Sequence, residues 1–255
     1  MDTKLISTLK HQRPLVLAVT NFITAGAVAD CLSAAGMSPM MPSDAQEAAE
    51  LTALADAVAI NIGSVDPAQA LLLHQVVQTA RQLRKPLVLD PVAVGASQVR
   101  QQLVRDILAG PVSLIRGNAS EIACLAGQAS AGRGIDAGPE AAPAQLAARC
   151  AQRYHCPVVL SGAIDYVSDG QQTHSYPGGS PLMPKVVGTG DMLSAFLAGC
   201  LTLPVPALTA AAFGTTYFAQ AGALADDGQL GHWWGNFLTV LDQAPRSFGK
   251  DGNQK

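Results

Sequence analysis

The sequence predicts an α/β fold: a central, mainly parallel sheet with helices on both faces. Short apolar, β-branched runs alternate along the chain with longer segments of helical spacing. Nearly every apolar run ends in a polar residue or glycine. Neither an internal repeat nor a low-complexity linker interrupts the alternation, so residues 1–255 are read as one domain.

The first strand is Leu15–Val19, followed by a helical stripe of Ala27, Val28, Cys31, Leu32 and Ala35. Ser38–Met41 is a short strand. Asp44 with Glu47 three residues later has the form of a capping box and opens a second helix. Ala57–Ile62 is the next strand. Pro67–Leu83 follows as a helix, its proline in the first turn, where no amide hydrogen is needed. Strand Leu87–Leu89, helix Gln98–Leu108, strand Val112–Ile115 and helix Ala119–Leu125 continue the pattern. The Gly-, Ala- and Pro-rich stretch Gln128–Pro143 is a surface connection. Helix Ala144–Arg153, strand Pro157–Leu160 and helices Met192–Leu201 and Pro206–Leu224 complete the series. The tail from Ala244 is polar.

Composition removes several classes of function. Hydrophobic residues make up 49% and charged residues 14%, the opposite of a disordered chain. A net charge of −3 gives no basic excess for nucleic acid. No apolar stretch reaches membrane-spanning length and the N-terminal segment has no signal-peptide pattern, so a cytoplasmic location is expected. Five cysteines without a CxxC pair read as buried thiols in a reducing compartment. Scattered histidines give no zinc spacing.

The strand ends carry the chemistry. They read Thr20-Asn21, Asn61 before Gly63-Ser64, Asp90-Pro91, Arg116-Gly117-Asn118 and Ser161-Gly162. In an open parallel sheet the ligand crevice lies outside the carboxyl ends of the strands, so these residues are expected to converge. The strongest local feature is Gly188-Thr189-Gly190-Asp191 running into an apolar helix. A glycine turn at a helix N-terminus presents free amides to an anion. A carboxylate on that turn repels a phosphate, so Asp191 is either a helix cap or a general base for a hydroxyl. Neither GxxxxGK[ST] nor GxGxxG is present. Arg116 suits a polyphosphate. Asp90 and Glu121 are hard oxygen ligands of the kind Mg²⁺ uses, although Asn118 and Glu121 also have capping-box spacing. Lys185 is either a phosphate contact or a solvated surface lysine.

At this point the chain resembles the hydroxyethylthiazole kinase family of the ribokinase-like superfamily, over about residues 11 to 225. The resemblance rests on ordered blocks: VTNFIT (19–24), AAGMSPMM (34–41), AINIGS (59–64), LDPVAVGA (89–96), IRGNASEI (115–122), SGAIDYVSDG (161–170) and PLMPKVVGTGDMLSA (181–195). It implies a ribokinase-like fold and transfer of the ATP γ-phosphate to the alcohol of 4-methyl-5-(2-hydroxyethyl)thiazole. The thiazole is expected near Met41 and Gly188, and the nucleotide near Arg116 and Ser161. Asp90 and Glu121 match acidic positions on the magnesium side. A homotrimer with sites near subunit interfaces is implied, in which Asn21, Met37 and Met41 could serve a neighbour's pocket. Two of Met37, Met40 and Met41 are expected to be core filling.

The sequence departs from the family in two places. Many members carry Cys where Asp191 stands, whereas the wider superfamily carries Asp. The GPGSF-like block near the C-terminus is replaced by Asp227–Phe237, with Trp233 and Trp234 expected to pack the final helix against the core, the alternative being that they fill an interface.

The mechanism expected is in-line phosphoryl transfer. Mg²⁺ is held through waters by Asp90 and Glu121. Arg116 and the amides of Gly188, Gly190 and Asp191 neutralise developing charge, and Asp191 takes the hydroxyl proton. The alternatives are a related kinase of the hydroxymethylpyrimidine or pyridoxal type and a non-catalytic nucleotide-binding module.

Overall fold

A computed structural model describes residues 2–127 and 142–244. The sequence-predicted loop at 128–143 therefore lies largely outside the described residues, as does the tail from 245. Eight strands form one sheet in the order β2-β1-β3-β4-β5-β6-β7-β8. They are β1 (Leu15–Val19), β2 (Ser38–Met40), β3 (Ala57–Asn61), β4 (Leu87–Asp90), β5 (Leu114–Asn118), β6 (Val158–Ser161), β7 (Ile164–Ser168) and β8 (Thr173–Pro177). Pairings from β2 across to β6 are parallel, and β6–β7 and β7–β8 are antiparallel. Strands β3 and β4 are buried along their whole length, as expected of parallel strands covered on both faces.

The helices are α1 (Thr3–Gln12), α2 (Ala25–Ala34), α3 (Ala48–Leu54), α4 (Pro67–Gln82), α5 (Gln98–Leu108), α6 (Ala119–Leu125), α7 (Pro143–Tyr154), α8 (Thr189–Cys200), α9 (Ala207–Leu224) and α10 (Leu230–Gln243). Two hydrophobic cores form. One packs α1, α2, α8, α9 and α10 together, around residues such as Leu32, Phe196, Phe218 and Trp233. The other packs α4 to α7, around residues such as Leu73, Ile107 and Cys150. Ten of the twelve residues of α8 are buried, and it lies against β1, β3, β4, α2 and α9.

Several elements depart from the sequence pattern. Helix α1 buries only Ile6 and Leu9, too few apolar positions to show a stripe. The β7–β8 hairpin was not expected; β8 is mostly exposed and polar, so it has no alternation to read. Strand β5 starts later than the apolar run and continues through Arg116, Gly117 and Asn118, because these pair with Val159, Leu160 and Ser161. Arg116 thus lies within a strand. Asp44 caps a single 3₁₀ turn, Ala45–Glu47, and α3 begins after it. Helix α8 begins at Thr189, so Gly190 and Asp191 belong to its first turn.

The expectation that the tryptophans pack the final helix against the core holds. Trp233 is buried, stacks on Phe237 at 4.8 Å and donates Nε1–H to the Gly222 carbonyl at 2.9 Å. Of the three methionines only Met37 is buried core, one where two were expected; Met41 is half-buried against the same core and Met40 against the other. All five cysteines are free; four are buried and Cys124 is half-buried. Among the described residues no helix is long and apolar enough to cross a membrane.

Candidate active site

The strand ends converge on the first turn of α8. Gly188 precedes that helix at φ +91°, a backbone conformation that only glycine adopts without strain. A Cβ there would also stand 2.6 Å from Thr24 Cγ2. The close approach puts Thr24 against Asp191, and Thr24 Oγ1 donates to Asp191 Oδ2 at 2.6 Å. Asn21 Nδ2 donates to the same oxygen at 2.8 Å. Asn61 Nδ2 donates to Asp191 Oδ1 at 2.8 Å. The oxygens of Asp191 are therefore held by side chains from the ends of β1 and β3. No side chain caps α8 at its start.

A second cluster lies beside the first. Asp90, at the end of β4, is wholly buried. Its Oδ2 accepts from Ser194 Oγ at 2.6 Å and faces Arg116 Nη1 at 3.4 Å. Its Oδ1 has no partner among the described residues. Burial pushes the Asp90 carboxyl up to about 7, against the pull of Arg116; Glu121 and Asp191 add to the rise. Arg116 Nη2 donates to Ser161 Oγ at the end of β6. Its guanidinium passes over Gly190, where a Cβ would collide with Nη1. Gly190 is thus small because Arg116 needs the space.

Glu121 is committed to the start of α6. Its Oε2 accepts from the Asn118 amide at 2.8 Å, completing a capping box, and its Oε1 accepts from the Ala93 amide at 2.9 Å. Its first function is structural, so the magnesium expectation for it narrows to a carboxylate lying behind Asp90. Among the described residues no group of three or more His, Cys, Asp or Glu could hold a metal ion. The unpartnered Asp90 oxygen, with a second carboxylate within electrostatic reach, does fit a hard cation that takes its other ligands from water and phosphate.

A cavity of about 540 Å³ opens beside Arg116, lined by Ser161, Asp165, Gly179, Gly190, Thr215 and neighbouring residues. Lys185 and Met41 do not line it. Lys185 is exposed on a 3₁₀ turn, and Met41 is half-buried just past β2 against the α2–α8 core. The structure therefore draws Lys185 into no contact with the Arg116 cluster.

Asp165 is buried near the start of β7 and accepts from the Gly162 amide, in the β6–β7 turn, at 2.9 Å. Burial raises its carboxyl from 3.8 to about 6, partly opposed by the Gly162 hydrogen bond and by Arg116. Between those two values the folded chain holds a proton that the unfolded chain has lost. This group's contribution to stability therefore falls as pH rises through that window. The full penalty above it is at most about 3 kcal/mol. Asp165→Asn keeps the acceptor for Gly162 and removes the titration. The melting temperature of the variant relative to wild type is expected to be higher at pH 7.5 than at pH 4.5. A difference independent of pH would contradict this assignment.

Comparison with known proteins decides the family. The model of the hydroxyethylthiazole kinase family matches residues 6–245. A hydroxyethylthiazole kinase from Klebsiella pneumoniae is 43% identical over 237 residues, 92% of each chain. The chain belongs to the hydroxyethylthiazole kinase family. The structure of a hydroxyethylthiazole kinase from Pyrococcus horikoshii OT3 superposes with a TM-score of 0.84 at 31% identity, covering 94% of this chain and 92% of that one. A ribokinase-like superfamily protein from Enterococcus faecalis matches at TM-score 0.67 and 15% identity over 94% of both chains, which shows the shared ribokinase-like fold.

Within this kinase the structure gathers Asn21, Asp90, Arg116, Glu121, Ser161, Gly188, Gly190 and Asp191 around one end of the sheet. Sequence reasoning did not assign roles to Thr24, Asn61, Ser194, Asp165 or Thr215. Asn61 is among the strand-end residues expected to converge, and the structure adds its partner, Asp191. Ser194 lies one turn beyond Asp191, inside an apolar stretch, where a buried serine has no distinguishing pattern.

Proposed function

We propose that this chain transfers the γ-phosphate of ATP to the primary alcohol of 4-methyl-5-(2-hydroxyethyl)thiazole. The observation that carries the proposal is Asp191, held by three side-chain donors at the start of α8, next to Gly190, which lies under Arg116 and lines the cavity. In this reading the alcohol oxygen attacks the γ-phosphorus in line, ADP leaves, and the hydroxyl proton passes to Asp191. The amides of Gly188, Gly190 and Asp191, with the Arg116 guanidinium, face the charge that develops on the phosphoryl oxygens. Ser161 fixes Arg116 at the cavity wall. Asp90, supported by Glu121, would hold Mg²⁺ through water. The cation, when bound, neutralises phosphate charge.

The chain is proposed to work in the cytoplasm as one domain and to assemble as a homotrimer. Phe22 (81% exposed), Ile23 (72%) and Val187 (74%) flank the Asp191 turn, and this exposed apolar patch supports an assembly that would cover it. Met41 is proposed to meet the thiazole from the edge of the sheet.

The test is a coupled ADP-release assay with Mg-ATP and hydroxyethylthiazole, hydroxymethylpyrimidine, pyridoxal or no acceptor. The thiazole alcohol is expected to give the highest kcat/KM. Preference for another acceptor would overturn the substrate and leave the chemistry. Binding of ATP without acceptor-dependent turnover would overturn the enzyme reading.

A further inference from the structure

We propose that Asn61 is a positioning residue that selects Oδ1 of Asp191 as the oxygen receiving the substrate proton. The proposal rests on the reading of Asp191 as general base. A carboxylate offers about four lone-pair directions, two on each oxygen. Oδ2 accepts from both Asn21 Nδ2 at 2.8 Å and Thr24 Oγ1 at 2.6 Å, and its capacity is filled. Oδ1 accepts from Asn61 Nδ2 at 2.8 Å and keeps one direction open. The open direction is where a hydroxyl can donate its hydrogen.

The orientation of both amides is fixed by the backbone. Asn61 Oδ1 accepts from the Gly63 amide at 2.7 Å, so its NH₂ group must face Asp191. Asn21 Oδ1 accepts from the amides of Ile23 and Thr24, each at 3.1 Å, which turns its NH₂ the same way. An amide flip at either residue would set a carbonyl oxygen against the carboxylate and strand a backbone N–H. Gly63 leaves room for both, since a Cβ there would lie 2.8 Å from Asn61 Oδ1 and 3.1 Å from Asn21 Nδ2. Asn61 is 4% exposed, so water does not substitute for it readily.

Asn61 also stands between the two carboxylates. Its Nδ2 lies 3.5 Å from Asp90 Oδ2 while bonded to Asp191 Oδ1. A neutral donor at this point separates the two anions and draws Asp191 Oδ1 to a fixed place. Removing it leaves the carboxylate anchored at Oδ2 alone, so Oδ1 can swing about that anchor and the reactive oxygen loses its direction.

The experiment is a kinetic cycle on the full chain. Asn61→Ala and Asn61→Leu are made in wild type and in Asp191→Asn, with folding checked by thermal melting. Leu restores the volume of Asn without its donor, so it separates packing from positioning. We expect both changes to lower kcat by about tenfold to a hundredfold in wild type, with KM for ATP and alcohol nearly unchanged. In the Asp191→Asn background each is expected to add less than about threefold, because the group it acts through is gone. Wild-type kcat in either variant would overturn the proposal. So would an equal loss in both backgrounds, an effect confined to KM, or full activity in Asn61→Leu with loss only in Asn61→Ala. Asn61→Ser enters the same cycle should the first two fail to fold. The Asp191→Asn single variant reads the base assignment separately. Full kcat there overturns both readings, while collapse there with intact Asn61 variants overturns only the positioning role.

Discussion

Replacing Asp191 with Asn lowers kcat by about 10²–10⁴-fold, the usual contribution of a positioned general base. KM for ATP stays within about threefold of wild type, because the variant presents the same α8 amides to the phosphates. The physical reason is local. Asn has one acceptor oxygen where Asp has two, and three donors converge on that group. The oxygen of the introduced amide is expected to serve Asn21 and Thr24, which leaves its NH₂ against Asn61. That arrangement neither accepts a proton nor holds its place. A steady-state assay across ATP and alcohol concentrations separates kcat from KM, and melting curves exclude loss of fold. An unchanged kcat would remove Asp191 from the base role and leave it as an anchor for β1 and β3.

Arg116→Ala has the second large effect, and it acts on stability as well as turnover. Arg116 is the cation facing Asp90, which is wholly buried. Removing one partner of a buried ion pair costs about 3–5 kcal/mol when the remaining charge cannot escape. Asp90 has an escape, since it can take up a proton. Its carboxyl is already raised to about 7 by burial, and Arg116 is what holds it down. Without Arg116 the carboxyl moves higher still. The variant therefore loses least near pH 5, where Asp90 is protonated in both proteins, and most near pH 8, where Asp90 is ionised beside Arg116 in wild type while the variant must still bind a proton. Thermal melts of both proteins across that range check the sign. Adding Asp90→Asn to Arg116→Ala is expected to recover much of the stability and none of the turnover. Equal losses at pH 5 and pH 8 would mean that the pair contributes by packing alone.

Much of this arrangement was legible in the sequence, and the limits have physical causes. The parallel strands β1, β3, β4 and β6 are apolar because both faces of the sheet are covered, and such runs stand out. Asp90, Arg116 and Ser161 were visible as polar interruptions at the ends of those runs. The hairpin β7–β8 was not: β8 is exposed and needs no apolar pattern, and β7 buries polar Asp165 and Ser168 along with Val167. Partners were also hidden. Thr24 meets Asp191 across 167 positions and Ser194 meets Asp90 across 104, and spacing carries no such information. The capping role of Glu121 was legible from its spacing to Asn118, and the second amide, from Ala93, shows how firmly the helix start holds it.

The burial of α8 has a consequence for how this enzyme can change. Its first turn carries the glycines and the carboxylate, and almost every residue behind them is locked into the core. A change of acceptor therefore cannot be won by moving that turn, because displacing it disturbs both the sheet and the helices packed on it. Within one chain the freedom lies at the rim, where Phe22, Ile23 and Val187 are exposed beside that turn. A change of acceptor is expected to come from substitutions there and not from a shift of the helix.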